Sequence, residues 1–551
     1  MINNKTKKIM IRNITDFIKK NSLLFFLFLF IGMCFSTSAQ IQVIDHTEIT
    51  TKSESGSDFS DYTAVPLAED GLLVSLTHYV KGKKEILIAK YDTTFQNVWE
   101  QKHIIKGEDK IVHYVIADSF IYYLVDKQRY EYEILKINLN NGTMRVVTYE
   151  KMLKATYTEI CASGNIILLG GEAENNPVVL HLNIETGRQQ ILPSLVQKST
   201  YLANLSIDTK NDVILAIVAG KYNSYKYSFF YFYGLDAKLR YNVTIPDNKD
   251  YGLQTFRPLI TGRDEVLVFG TYSTPKWKRS QGIYSLKIKD KKESGFRFYD
   301  FSYLNNFFNN LKEKKREKML AKVKRGRKKD SPVRYSNDYF ISPLRVEENR
   351  IYLSLEGYNP IYQNGNTTTN NMVGNPYFGS GNNSRVYSNI GGNRGMWQSG
   401  GNSGVTVTYK YEQGMVCSFD KEGKLLWDNQ FDFDEFESQK IFPFFSYSVQ
   451  NDTLALFRLD EEELFYKQTV KSKEQSLISE YKVPRRDSLD NIVNRSDEIL
   501  MHWYDDNYLV SGYQIVRNDL YQPARRKVFY FTRLRYPFSA AEVDKKEDEE
   551  E

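Results

Sequence analysis

Apolar residues recur along the chain in short β-type runs separated by polar hairpins and by turns rich in Asp, Asn and Gly. The most prominent runs are LLVSLTHY (72–79), FIYYLVD (120–126), NIILLGG (165–171), DVILAIVAG (212–220), EVLVFGTY (265–272), RIYLSLEGY (350–358), TLALFRLD (453–460) and NYLVSGYQI (507–515). A second run follows each of them: EILIAKYD (85–92), YEILKINL (132–139), PVVLHLNI (177–184), FFYFYGLD (229–236), GIYSLKIK (282–289), MVCSFD (415–420), LFYKQTV (464–470) and KVFYFTRL (527–534). Weaker strands precede each pair and begin near 63, 111, 155, 199, 253, 337, 438 and 494. Most are four to eight residues long and bounded by turn formers, which argues strand rather than helix.

Where nothing is inserted, the unit returns every 44 to 56 residues. A four-stranded unit at such a period predicts a β-propeller, because one blade cannot bury both of its faces and a ring of blades can. A sandwich does not usually repeat a unit of this size eight times, and solenoid coils are shorter. The expected fold is therefore all-β: an eight-bladed propeller spanning 40–538, with seven blades as the fallback count. Blade eight has no fourth strand after Arg535-Tyr536-Pro537, while the run from Ile41 to Ile49 has no blade of its own. The economical solution is that the N-terminal run becomes the outer strand of blade eight, which removes an open edge.

The turn after the third strand carries the strongest local signal. Asp92 is followed seven residues later by Trp99, and Asp420, with Gly423, by Trp427 at the same interval. Gly142, Gly187 and Asp236 occupy the same slot in blades two, three and four. Asn, Asp and Gly suit it because they accept positive φ or cap their own backbone. This grammar resembles the tryptophan-docking repeats of quinoprotein-like propellers, in which the indole packs between blades. The resemblance covers most of 60–536 as a repeat pattern and concerns the fold. Enzymes of that type carry a neighbouring Cys pair and calcium ligands; here Cys161 and Cys417 are distant in sequence.

Composition changes the picture at the ends. A leader with Lys5, Lys7, Lys8, Arg12, Lys19 and Lys20, an apolar run from Leu23 to Phe35 and a small-residue site ending at Ala39 describe a secretory signal peptide, 1–39. Met10 is an alternative start, and acylation of Cys34 is a rival reading that the bulky Met33 before it disfavours. The leader carries six Lys/Arg and one Asp, so it accounts for +5 of the net +6. The remainder is close to neutral and offers no general case for nucleic acid. The expected location is the periplasm, the outer membrane or the exterior, with no transmembrane segment after cleavage. Cys161 and Cys417 are expected to be buried thiols, a disulfide between them being the alternative.

Three segments lie outside the blades. Residues 303–335 hold twelve Lys/Arg against three Asp/Glu and are rich in helix formers. Phe307, Phe308, Leu311, Met319 and Leu320 form the expected apolar stripe. Lys314, Lys315, Arg316, Lys318 and Lys322 are the candidate partner-binding residues, for an acidic envelope protein or an anionic surface. Residues 364–404 contain ten Asn and ten Gly among 41 residues, with no Lys, Asp or Glu, and are expected to be a flexible loop. The segment 539–551 is expected to be a disordered tail; from Glu542 to Glu551 it has seven acidic residues and two Lys.

No H-x-H pair, H-E-x-x-H motif, G-x-S-x-G elbow, P-loop or dinucleotide fingerprint is present. No catalytic, metal or cofactor residue is assigned. The preferred reading is a non-catalytic binding scaffold of the cell envelope, monomeric or within a hetero-complex; the alternatives are a carbohydrate-active or a quinoprotein-type propeller enzyme.

Overall fold

The computed structural model describes residues 42–50 and 61–536, apart from 364–405 and short gaps between elements. Among these residues the strands assemble into eight antiparallel sheets, each of four strands or with one strand interrupted. Seven are consecutive in sequence: 61–105, 110–150, 156–191, 200–246, 252–300, 338–438 and 445–480. We number them sheets 1 to 7. Sheet 8 combines Asn491–Tyr504, Asn507–Arg517 and Arg525–Arg535 with Gln42–Thr50 as its outer strand. The outer strand runs antiparallel to Arg525–Arg535, with Gln42 opposite Arg535 and Thr50 opposite Val528.

The core explains this arrangement. Each of its eight apolar clusters joins two sheets that are neighbours in order. Val65, Leu73 and Ile86 of sheet 1 pack with Ile116, Tyr123 and Leu135 of sheet 2. The pattern continues through sheets 2–3, 3–4, 4–5, 5–6, 6–7 and 7–8. The circuit closes where Tyr62, Leu72 and Val74 of sheet 1 meet Trp503, Phe529 and Phe531 of sheet 8. This is a β-propeller.

Because both faces of a blade are covered by its neighbours, its second strand loses polar alternation: Val213, Ile214, Leu215, Ala216, Ile217 and Val218 are all fully buried. First strands are largely buried, whereas fourth strands such as Asn97–Ile105 and Leu239–Pro246 are mostly exposed or half-buried. The first strands therefore face the crowded centre and the fourth strands the circumference.

Some boundaries differ from expectation. The first strand of sheet 7 is Phe445–Gln450, and Ser438 instead ends the fourth strand of sheet 6, which runs to 14 residues. Among the described residues the single α-helix is Glu313–Lys328, in the connection between sheets 5 and 6. Cys161 and Cys417 are buried free thiols in separate clusters, the first between sheets 3 and 4 and the second between sheets 5 and 6. The Asn/Gly-rich run 364–404, the leader and the acidic tail lie outside the described residues.

Candidate functional site

The hairpins after the third strands share one construction. Asp92 Oδ1 accepts from the amides of Thr94 and Gln96 at 2.8 and 2.9 Å. Asp420 Oδ1 accepts from those of Glu422 and Lys424, and Asp236 Oδ1 from that of Lys238. In sheets 2 and 3 the caps are Asn138 and Asn183, just ahead of the turn. The left-handed position is taken by Gly142, Gly187 and Gly423, but by Phe95 in sheet 1 and Ala237 in sheet 4. Phe95 is held in this conformation by burial, its ring stacked on Trp503 and edge-on to Phe531 of sheet 8.

These turns also meet the next blade. The Trp99 indole N–H donates to the Leu139 carbonyl of sheet 2 at 3.0 Å, and its ring lies against Gly142. Trp427 packs near Tyr352 at the boundary of sheets 6 and 7. Gly423 reaches back to sheet 5, where its carbonyl accepts from Ser285 Oγ at 2.6 Å. Trp503 does the same work between sheets 8 and 1, donating to the Gly71 carbonyl at 2.9 Å. It sits on a first strand, outside the Asp-plus-seven pattern.

A polar girdle that sequence reasoning missed runs round the centre. Tyr62, His113, Glu159, Asn204, Arg257 and Ser446 each pair with the fifth residue of the second strand of their own blade. In sheets 2, 3 and 4 a register shift immediately precedes that residue. Four of them hydrogen-bond to an adjacent blade. His113 Nε2 donates to the Tyr157 carbonyl at 2.9 Å. Arg257 Nε donates to the Ile341 carbonyl at 3.0 Å. The His502 amide donates to Ser446 Oγ, and the Tyr62 amide to the Tyr513 hydroxyl. Glu159 faces sheet 4, where the Leu205 amide and, beyond it in sheet 5, the Arg257 guanidinium pull its pKa down. Burial dominates and raises it to about 8. The signal in the sequence is slight, because these residues stand among other polar ones, such as Ser206 beside Asn204 and Ser448 beside Ser446.

The basic insertion is fixed at both ends. Asp300 caps the turn Phe301–Tyr303 through the Ser302 amide. Asp428, buried in sheet 6, accepts from the amides of Asn305 and Asn306 at 2.9 and 2.8 Å. On the return, the Val333 carbonyl accepts from Gln281 Nε2 at 2.7 Å. Between these points Phe301, Leu304, Phe307, Phe308, Val323, Val333 and Tyr335 enter the cluster shared by sheets 5 and 6. Leu311 and Met319 pack against it, but Leu320 is 46% exposed and Val323 takes the buried place. One turn of helix beyond Met319 is residue 323, whereas Leu320 is rotated about 100° away.

Lys314, Lys315, Arg316, Lys318 and Lys322 are all exposed. Among the described residues none of the five is in an ion pair. Lys314, Lys318, Lys322 and Arg325 follow one another at four-, four- and three-residue steps, so they form one stripe along the helix. Glu313 and Glu317 fall on a neighbouring face.

No family model matches the chain, and no curated protein matches it. Solved structures similar to it include the polysaccharide lyase Uly1, at 8% identity and TM-score 0.35 over 90% of this chain and 100% of that one. The β-propeller domain of the trilobed protease from Pyrococcus furiosus matches at 10% identity and TM-score 0.30, over 77% and 94%. The WD40 domain of SCAP from fission yeast matches at 7% identity and TM-score 0.33, over 90% and 98%. None of these likenesses bears on chemistry.

Proposed function

We propose that this protein is an exported, non-catalytic scaffold of the cell envelope, an eight-bladed ring that docks an acidic partner through the helix Glu313–Lys328. The eight clusters that join successive sheets into one circuit support the blade count. The leader, with its basic region, apolar run and Ala39 site, supports export.

The observation that carries the docking role is the contrast between the helix's two sides. Its inner side is seated by the buried Val323, and Asp300 and Asp428 hold the segment that leads into it at Ser302, Asn305 and Asn306, while its basic stripe projects with no internal counter-charge among the described residues. A rigid row of cations gives a partner steering and register without an ordering cost at the moment of contact.

The test is a charge-reversal variant in which Lys314, Lys315, Arg316, Lys318 and Lys322 become Glu. It should fold with an unchanged melting temperature, since all five positions are exposed, and lose capture of acidic envelope proteins in low-salt pull-downs. Equal capture by variant and wild type sinks the reading.

A further inference from the structure

The connection that carries the helix leaves the ring at the same end as its most exposed apolar side chains. We infer that the ring lies on an anionic phospholipid bilayer by this end, with the basic stripe of Glu313–Lys328 against the headgroups and Tyr130, Tyr303, Leu489 and Leu520 entering the interface. The inference rests on the docking reading above and names the acidic surface that the helix meets.

Strand order defines the two ends. Within a blade, the turns after the first and third strands lie at one end. The hairpin after the second strand and the connection to the next blade lie at the other. Hydrogen bonds tie hairpin to connection. The Lys151 amide, just beyond the fourth strand of sheet 2, donates at 2.7 Å to the carbonyl of Tyr130 in that sheet's hairpin. Asn518 Nδ2, in the hairpin of sheet 8, donates at 2.9 Å to Oδ1 of Asp490, which ends the connection from sheet 7. The connection with the helix leaves Asp300 and re-enters the ring at Asp338, both at this second end.

Apolar exposure is divided unequally between the ends. Among the described residues the four most exposed large apolar side chains are Tyr130 at 76%, Leu520 at 75%, Tyr303 at 65% and Leu489 at 61%. All four stand in hairpins or connections of the second end. The turns of the first end are closed by Asp92, Asn138, Asn183, Asp236 and Asp420, and their large apolar residues, such as Phe95 and Leu139, are buried. One exposed Leu or Tyr is ordinary on a soluble protein. Four at a single end, beside an unpaired row of cations, mark a contact surface.

The spread of the four selects the partner. They project from sheet 2, from the connection between sheets 5 and 6, and from either side of the first strand of sheet 8, so they form no single patch for a protein segment to fill. A bilayer is broad enough to meet all of them at once. Leu enters the acyl boundary, Tyr suits the headgroup level with its apolar ring and polar hydroxyl, and Lys and Arg are drawn to anionic lipid. Leu320, exposed on the helix among its cations, adds a further apolar contact.

Co-sedimentation tests this on the chain from Gln40 to Glu551, so that the leader lends no lipid affinity. At about 0.1 M NaCl it should pellet with phosphatidylcholine vesicles that contain roughly a quarter phosphatidylglycerol, and not with pure phosphatidylcholine ones. The charge-reversal variant should bind at least about tenfold more weakly, and so should a variant with Tyr130, Tyr303, Leu489 and Leu520 all changed to Ser. Binding by the Ser variant as tight as wild type, or binding indifferent to phosphatidylglycerol, overturns the inference.

Orientation is read on single substitutions. Cys161 and Cys417 are buried, so Leu520→Cys and Glu69→Cys each add one exposed thiol for an environment-sensitive dye, at opposite ends of the ring. On the anionic vesicles the dye at 520 should brighten and shift to the blue, and the dye at 69 should not. A response at neither position, or equally at both, overturns the inference.

Pull-downs keep it apart from the docking reading. Wild type that captures acidic envelope proteins but ignores the vesicles overturns the bilayer and leaves docking intact. Wild type that binds the vesicles and captures no protein leaves the bilayer standing as the acidic partner. Binding to neither overturns both.

Discussion

Trp99 and Gly142 belong to different blades and are built for each other. A Cβ placed on Gly142 would stand 2.8 Å from the Trp99 ring, and Gly142 has φ +73°. The glycine is thus required twice, once by its backbone and once by the indole of its neighbour. Gly142→Ala should cost about 2 kcal/mol, combining the left-handed penalty with displacement of the ring. Trp99→Phe should cost about 1 to 2 kcal/mol, for the hydrogen bond to Leu139 and part of the ring that lies on Gly142. Urea titrations check both, and the double variant should lose less than the sum because the two sites share one contact.

The N-terminal strand should be indispensable. Removing 42–50 strips eight paired residues from Arg525–Arg535, at about 1 kcal/mol net per ladder hydrogen bond. It also takes Asp45 from Arg533, at 2.7 Å, and Glu48 from Arg526, whose Nη2 lies 3.7 Å from Glu48 and 2.6 Å from Asp490. We expect a sharp fall in melting temperature or insoluble protein, read by expression and thermal unfolding. A truncated chain that melts like the intact one would show that the strand is an ornament.

Glu159 should make stability fall as pH rises. Its pKa is raised from 4.5 to about 8 in the fold, so between those values the folded chain holds a proton that the unfolded chain has released. The stabilisation is complete below about pH 4.5 and is lost through pH 8. Arg257 opposes the shift, and the nearby Cys161 thiol is itself pushed up, by burial first and then by Glu159. Glu159→Gln should flatten the urea midpoint against pH and be the more stable chain at pH 8.5, by on the order of 3 kcal/mol. Parallel curves for the two chains would refute this.

Replacing 364–404 by a short Gly/Ser turn should leave the melting temperature within about 2 °C, since closure entropy varies only logarithmically with length. The flanking strands explain why: Gln363 and Thr406 already face each other at the end of the hairpin Arg350–Gln363 and Thr406–Phe419. A large loss would mean that the segment contributes packing.

The strands were readable because burial on both faces leaves a dense apolar run, as at 213–218, between turns with their own chemistry at Asp92 and Asp420. The outer strand of sheet 8 was readable by elimination. The polar girdle was not. A Glu159 or Asn204 among the other polar residues of its strand gives no sign that a register shift puts it level with residues about 50 and 100 positions away. Trp503 escaped for a similar reason, since it docks from a first strand and not from the turn that the repeat advertises. On the helix, the spacing of Met319 and Val323 was visible, but Leu320 drew the stripe one residue off; only the wall of sheets 5 and 6 decides which of the two is covered.

The pairing of Gln42 with Arg535 has a mechanical consequence. Both ends of the paired ladder leave from the same corner of sheet 8, so a force that separates them does not shear eight pairs at once. It opens them singly, starting at Gln42 and Arg535 and moving towards Thr50 and Val528. The joint that closes the ring against heat is, under tension between the chain ends, a zipper with its tab already in reach.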